Sequence, residues 1–409
     1  MAVQKKLRSG DVAMLDKKKI LNIVTGDKNF NIKISKPFYP LSIEFLNDFS
    51  NALKNFKKIK TYPDLIYLMF WCRGNRIKDL SKDFADNKLR LGRGLIFHIC
   101  PSNVPTNFVY SFFFGLLSGN SNIVKVPSKK FKEKEIILKI LNSLLKKNKY
   151  LLLKKSNTFI EYNSNAETTK LVSSICDGRV IWGGDKTINE IRKFWIPERA
   201  VELTFSDRYS ISIINLDQLK KINVNTLQQL AKKFYLDGYS MNQAACNSPH
   251  FVFWVGKNNE NLKNKFWKLL IKIVKQKFSF DDIHVVDKYT NLIENIITQK
   301  DFDKIKMFKN NLYIINANKI NQLENIRGVN GTFFQKNIPN INNLKKFITK
   351  KCQTVSYFGF DKELLKKFLL NNNLSGIDRM VPIGNALDIN IVWDGYEVTK
   401  NLSRVISVE

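Results

Sequence analysis

The stretch "GLIFHICPSNVPTNFVYSFFFGLLSGNSNIVKV" (94–126) limits the fold more than any other part of this chain. It opens with a short apolar run ending at Cys100, breaks at a turn containing Pro101 and Pro105, and resumes as an apolar helical stretch. Gly119-Asn120 ends that stretch, and a second short apolar run follows. A continuously apolar strand has no polar face to offer water, so helices must cover it on both sides, as in a parallel sheet. The spacing therefore predicts a β-turn-α-β unit and an α/β fold.

The rest of the chain fits that frame. Residues 42–87 alternate apolar and charged positions at helical spacing, which predicts an N-terminal helical section. A Lys-rich helix is expected over 131–148, then the segments "YLLLKK" and "TFIEYN", another helix and the strand "RVIWGG". "YSISIIN" (209–215) is expected to begin a second α/β unit, with Pro197 in the link before it. Helices are expected over 218–236, over 259–277 and from 361. Boundaries are set at 1–90 for a helical section of a cofactor lobe, 91–208 for the rest of that lobe, 209–375 for a catalytic lobe and 376–409 for a C-terminal segment.

At 409 residues the chain is long enough for two domains, and 44% hydrophobic with 25% charged residues is ordinary for a globular protein. Its net charge of +31 invites a nucleic-acid reading, yet only 12 of the 67 basic residues are Arg. Arg is the preferred residue for phosphate and base recognition, and no zinc finger, RNP motif or basic helix stands out, so no nucleic-acid role is expected. The excess of Lys suits a polyanionic small molecule such as a nucleotide or coenzyme A equally well. "FVYSFFFGLLSG" is too short to span a bilayer, and the N-terminus lacks the apolar core of a signal peptide. A soluble cytoplasmic protein without a membrane span is expected. The five cysteines are scattered without metal-site spacing, so neither a disulfide framework nor a metal site is expected.

Two places carry chemistry. In "VIWGGDKTINEIRKFW" an apolar strand ends at Gly183-Gly184 and a helix starts after Asp185. Glycines there allow close backbone approach and a helix N-terminus favours an anion; the alternative is a plain strand-to-helix turn. In "YSMNQAACNSPHFVFW" (239–254), Cys246 stands in a polar turn before an apolar run. Cys72, Cys100 and Cys176 sit in apolar or helical patterns that suit small buried residues, whereas the setting of Cys246 suits a nucleophile. His250 either tunes that thiol or only precedes the strand.

The blocks "HICPSNVPTNF", "SGNSNIVKVPSKK", "VIWGGDKTI", "DGYSMNQAACNSPH", "CQTVSYFG" and "GIDRMVPIGNALDINIVWDGYE" occur in the order of the LuxC acyl-CoA reductases. The chain resembles that family, a distant branch of the aldehyde dehydrogenase superfamily, over roughly residues 60–405. The resemblance implies an aldehyde-dehydrogenase-like fold of two Rossmann-like α/β lobes with the active site in the cleft between them. It implies reduction of a long-chain fatty acyl-CoA, or another acyl thioester, to the aldehyde by NADPH, with coenzyme A as part of the substrate. Cys246 falls at the nucleophile and Asn103 at the oxyanion-binding asparagine. Lys125 falls at the lysine of the cofactor ribose, and Gly183 and Gly184 at the turn beneath the pyrophosphate. Glu202 falls near the general base of the oxidising enzymes. Ser128 replaces a glutamate that in NAD-specific relatives accepts the adenosine ribose hydroxyls, which favours NADP. Arg379 is a candidate for a CoA phosphate. An acyl-protein synthetase partner and a homo-oligomer are further implications. The rivals are an oxidative NAD(P)-dependent aldehyde dehydrogenase and a non-catalytic basic binding protein.

Overall fold

The structure is a computed structural model that describes residues 22–27, 30–101, 104–163, 166–278, 281–299, 302–320 and 322–409. The first part of the section 1–90 therefore lies outside the described residues. Two compact units are present. One is built from the described residues through Ser206 together with Ile389–Glu409, and the other from Asp207–Asp388.

In the first unit, helices α1 (Pro40–Lys54), α2 (Pro63–Trp71) and α3 (Gly74–Phe84) fill the section expected to be helical. Short strands flank these helices on both sides. Strand β1 (Ile23–Thr25) joins the sheet antiparallel, and Arg90–Gly92 pairs with Ser403–Val405. The predicted unit appears as β2 (Leu95–Ile99), α4 (Asn107–Leu117) and β3 (Ser121–Lys125). Then come α5 (Lys132–Leu145), β4 (Asn157–Ile160), α6 (Ala166–Ser173), β5 (Gly178–Trp182), α7 (Asp185–Arg192) and β6 (Val201–Phe205). The sheet order is β1-β4-β3-β2-β5-β6, parallel except for β1. Strand β2 is buried along its whole length because its two faces feed two cores. Ile96 joins Phe49, Trp71 and Phe113 on one side, and Leu95, Phe97 and Ile99 join Ile181 and Ile188 on the other. Strand β6 occupies what the sequence suggested was a link after Pro197. Its alternation "VELTF" leaves one face half-buried, the pattern of a sheet edge.

The second unit contains β7 (Tyr209–Asn215), α8 (Val224–Tyr239), β8 (Pro249–Val255), α9 (Glu260–Lys277) and α10 (Asp282–Gln299). It continues with β9 (Phe302–Phe308), β10 (Leu312–Ala317), β11 (Thr332–Ile338), β12 (Cys352–Phe358), α11 (Lys362–Asn371) and β13 (Arg379–Pro382). The sheet order is β9-β10-β11-β8-β7-β12-β13, with β9 antiparallel to β10 and every other pair parallel. Phe251 and Phe253 of β8 face one core, and Val252 and Trp254 face the other. The stretch 376–409, read from sequence as one segment, is divided at Asp388. The part beyond it returns to the first unit, where Trp71 Nε1 donates to Ile389 O (3.0 Å) and Trp393 joins the helical core. No described helix is long and apolar enough to cross a membrane.

Candidate active site

The five parallel strands of the first unit stand in the order β4-β3-β2-β5-β6, so the sheet winds outward in both directions from between β2 and β5. Ligands of such sheets bind beyond the carboxyl ends of the strands at that reversal. A cavity of about 830 Å³ lies there. It is lined by Ile99 and Cys100 at the end of β2, Lys125 and Ser128 at and beyond the end of β3, and Gly183 and Gly184 after β5. Four residues singled out from sequence (Lys125, Ser128, Gly183 and Gly184) thus share one wall-and-floor system.

Gly184 has no internal reason to be glycine. Its φ of −66° and ψ of 158° suit any residue, and a Cβ built on it would meet nothing within 4 Å. The space it leaves opens into the cavity at the N-terminus of α7, the end of a helix whose dipole favours an anion. Lys125 stands over the Tyr162 ring with Nζ 4.5 Å from its centroid, and burial pulls its ammonium below the usual lysine range. Trp182, which the sequence reading passed over, forms part of the wall. Its ring stacks on Phe205 at 3.8 Å and its Nε1 donates to Ser111 Oγ (3.0 Å). Ser111 also bonds His98 Nδ1 (2.7 Å), whose Nε2 meets Asn122 Oδ1 (2.9 Å). Burial brings His98 down to about 4, so it is a neutral brace behind the wall.

Glu202 lies on β6, and its geometry gives it a different role from a general base. Arg179 donates through two guanidinium nitrogens to Oε2, and Arg192 Nε donates to Oε1 (2.8 Å). Arg179 is 2% exposed and also holds Ser173 Oγ and Phe194 O, both at 3.0 Å. A carboxylate with both oxygens bonded to guanidinium is a counter-ion, not a group open to water. Glu202→Ala is expected to destabilise this unit by about 3 kcal/mol, because it strands a buried guanidinium. A drop of roughly 6–10 °C in the unfolding temperature checks this.

In the second unit, Cys246 is exposed, while Cys72, Cys100, Cys176 and Cys352 are buried. Burial pushes the thiols of Cys100, Cys176 and Cys352 up to about 12, and that of Cys72 well above the ordinary range. Buried thiols of that kind are poor nucleophiles at neutral pH. Cys246 sits between α8 and β8, after three consecutive non-glycine residues in the left-handed region: Met241 (φ 54°), Asn242 (φ 53°) and Gln243 (φ 64°). Each such residue costs roughly 1–2 kcal/mol, somewhat less for Asn, and persists only where its surroundings hold it. From β7, Ser210 Oγ donates to Cys246 O (2.7 Å) and to that extent fixes the backbone under the thiol. His250 is buried and bonded through Nδ1 to the Gly328 backbone (2.8 Å), and burial with Arg327 lowers it to about 3. It lies within β8 rather than ahead of it, and is neutral at physiological pH. Asn103 lies outside the described residues.

Comparison with known proteins now decides the family. The family model for acyl-CoA reductase (LuxC) matches residues 80–405. The chain belongs to the LuxC family.

Among solved structures, the LuxC-family chain is similar to an oxidoreductase from Marinobacter aquaeolei (TM-score 0.62, 10% identity, 95% of this chain and 85% of that one). A lactaldehyde dehydrogenase gives a TM-score of 0.56 at 10% identity over 84% of this chain and 79% of that one. A bifunctional proline utilization A (PutA) protein gives 0.61 at 11% identity over 87% of this chain, which spans only 39% of that longer protein. These likenesses establish an aldehyde-dehydrogenase-like fold. No curated protein matches the chain significantly.

The C-terminal block characteristic of this LuxC-family sequence, "GIDRMVPIGNALD", acquires a structural role. Asp237, near the end of α8, accepts from Gly384 N (2.7 Å) and Ala386 N (3.0 Å), and Asn247, next to Cys246, donates to Ala386 O (2.6 Å). The block thus underlies the cysteine turn. Burial raises the Asp237 carboxyl to about 7, against the two backbone N–H bonds. Arg379, a candidate for a CoA phosphate, is engaged within the block. Its guanidinium donates to the carbonyls of Ala386, Asn385 and Asp388 (3.1, 3.2 and 2.9 Å) and shapes its own loop. Among the described residues no cluster suited to a metal ion occurs.

Proposed function

We propose that this LuxC-family chain reduces a long-chain fatty acyl-CoA, or another acyl thioester, to the aldehyde with NADPH. The observation that carries the reading is Cys246, the one exposed cysteine among the described residues, set on a turn that its surroundings hold in a strained conformation. Its thiolate attacks the thioester carbonyl, the carbon–sulfur bond to coenzyme A breaks, and coenzyme A leaves as a thiol. By family resemblance, Asn103 would be an amide donor to the developing oxyanion, and the Cys246 backbone N–H would be another. A bound reduced nicotinamide would supply hydride to the acyl carbon. The resulting thiohemiacetal then expels the Cys246 thiolate and releases aldehyde. By family resemblance, an acyl-protein synthetase is the partner that would deliver acyl groups, in the cytoplasm.

The cavity of the first unit fits the cofactor. Gly183 and Gly184 would let a pyrophosphate approach the backbone at the start of α7, and Lys125 would reach the ribose. Ser128 would stand at the adenosine ribose, with Lys129 and Lys130 following it. A hydroxyl there does not repel a 2′-phosphate, and the two ammonium groups attract one. Ser128→Glu is expected to lower NADPH efficiency about tenfold relative to NADH. Equal use of both cofactors, unchanged by the substitution, would remove Ser128 from the adenosine site.

The reaction class has a direct test. Mixing the enzyme with an acyl-CoA in the absence of NADPH should release a burst of one coenzyme A per chain, and Cys246→Ala should release none. A burst that survives in the variant would overturn the covalent route.

A further inference from the structure

The Gln243 side chain is fully buried and makes four hydrogen bonds. Nε2 donates to Pro249 O (2.9 Å) and Thr332 O (3.0 Å), and Oε1 accepts from Gly331 N (3.0 Å) and Thr332 N (3.3 Å). The bond to Pro249 closes the loop 243–249, of which Cys246 is the midpoint. The bonds to 331 and 332 fasten the same loop to the start of β11. A second left-handed turn, Asn330 (φ 52°) and Gly331 (φ 83°), lies against the first, with Asn330 N donating to Asn242 O (3.2 Å). Helix α10 backs the pair. Its Lys288 Nζ donates to Gly331 O (3.3 Å), and the Asn242 amide donates to His284 Nε2 (3.1 Å).

We infer that Gln243 is a positioning residue for the nucleophile: it holds the strained turn 241–243 and closes the loop that presents the Cys246 thiol. The inference rests on the reading of Cys246 as the nucleophile. An amide is the only uncharged side chain of this length with two donors and an acceptor, and all three are used in a site without water access. Gln243→Met keeps the length and removes every bond. Gln243→Glu keeps the shape and loses both donors until its carboxyl is protonated, when one returns.

The test follows alkylation of Cys246 by iodoacetamide, read by peptide mass, together with the coenzyme A burst and the unfolding temperature. Gln243→Met and Gln243→Glu should slow both alkylation and burst by about tenfold or more, since misplacing a reacting atom by an ångström is that severe. The deficit of Gln243→Glu relative to wild type should shrink as pH falls through the carboxyl's titration. A purely structural role would not produce that pH dependence. Glycine adopts positive φ freely, so adding Met241→Gly to Gln243→Met should recover fold and most of the alkylation rate. That double variant also decides the matter if Gln243→Met alone fails to fold. Alkylation and burst within about twofold of wild type in folded Gln243 variants, whatever their stability, would overturn the inference. So would a double variant that folds and yet shows no recovery. If the thiol alkylates as expected but wild type forms no acyl adduct, the acyl-transfer reading fails while the positioning role stands.

Discussion

Cys246→Ser is expected to lower acyl-CoA reduction by roughly 10³-fold or more while leaving the unfolding temperature unchanged. The hydroxyl matches the thiol closely in size, and the side chain is exposed, so no core contact is lost. What changes is the nucleophile. A thiol is partly ionised near neutral pH and attacks thioesters well, whereas a serine hydroxyl needs an activating base. The only nearby candidate considered from sequence, His250, is bonded to the Gly328 backbone and buried. The other thiols cannot substitute, because burial keeps them protonated. Mass analysis after mixing with acyl-CoA should show an adduct on the peptide containing residue 246 in wild type and none in the variant. Turnover that persists in Cys246→Ser would refute the covalent mechanism.

The second large effect is expected at Gly184. On the proposed reading, Gly184→Leu should weaken NADPH binding by about a hundredfold, because a side chain there would fill the space left for the cofactor pyrophosphate. The fold should be indifferent. The backbone conformation is open to any residue and the position of the new Cβ is empty. Thermal unfolding without cofactor should therefore match wild type, while the stabilisation produced by added NADPH should largely vanish. Gly94 provides the contrast. Its φ is 143°, and a Cβ there would meet Asp177 Oδ2 at 1.9 Å, so replacing it should damage folding before binding. Unchanged cofactor affinity in a folded Gly184→Leu protein would place the nucleotide elsewhere.

The β-turn-α-β unit was legible from residues 94–126 because buried parallel strands carry uninterrupted apolar runs, a strong local signal. The exposure of Cys246 was legible for the opposite reason: a thiol among Asn, Gln and Pro breaks the pattern of a core cysteine. The same local logic missed β6, whose alternating "VELTF" is half-buried at the sheet edge and follows a proline. It also could not foresee the partners of Glu202 and Arg379. Nothing near either residue in sequence reveals that its charge is met by Arg179 and Arg192, or by the carbonyls of 385, 386 and 388.

Gln243 shows the limit most clearly. In sequence it is one amide in a polar turn, and three of its four hydrogen bonds run to residues 331 and 332, nearly ninety positions away. Periodicity and residue type report how much of a segment must be buried, since that depends on neighbours within a few positions. Which distant backbone group receives a buried donor depends on strand order. The parallel pairing of β8 with β11 brings the cysteine loop and residues 331–332 to the same end of the sheet, and only the folded chain sets that pairing.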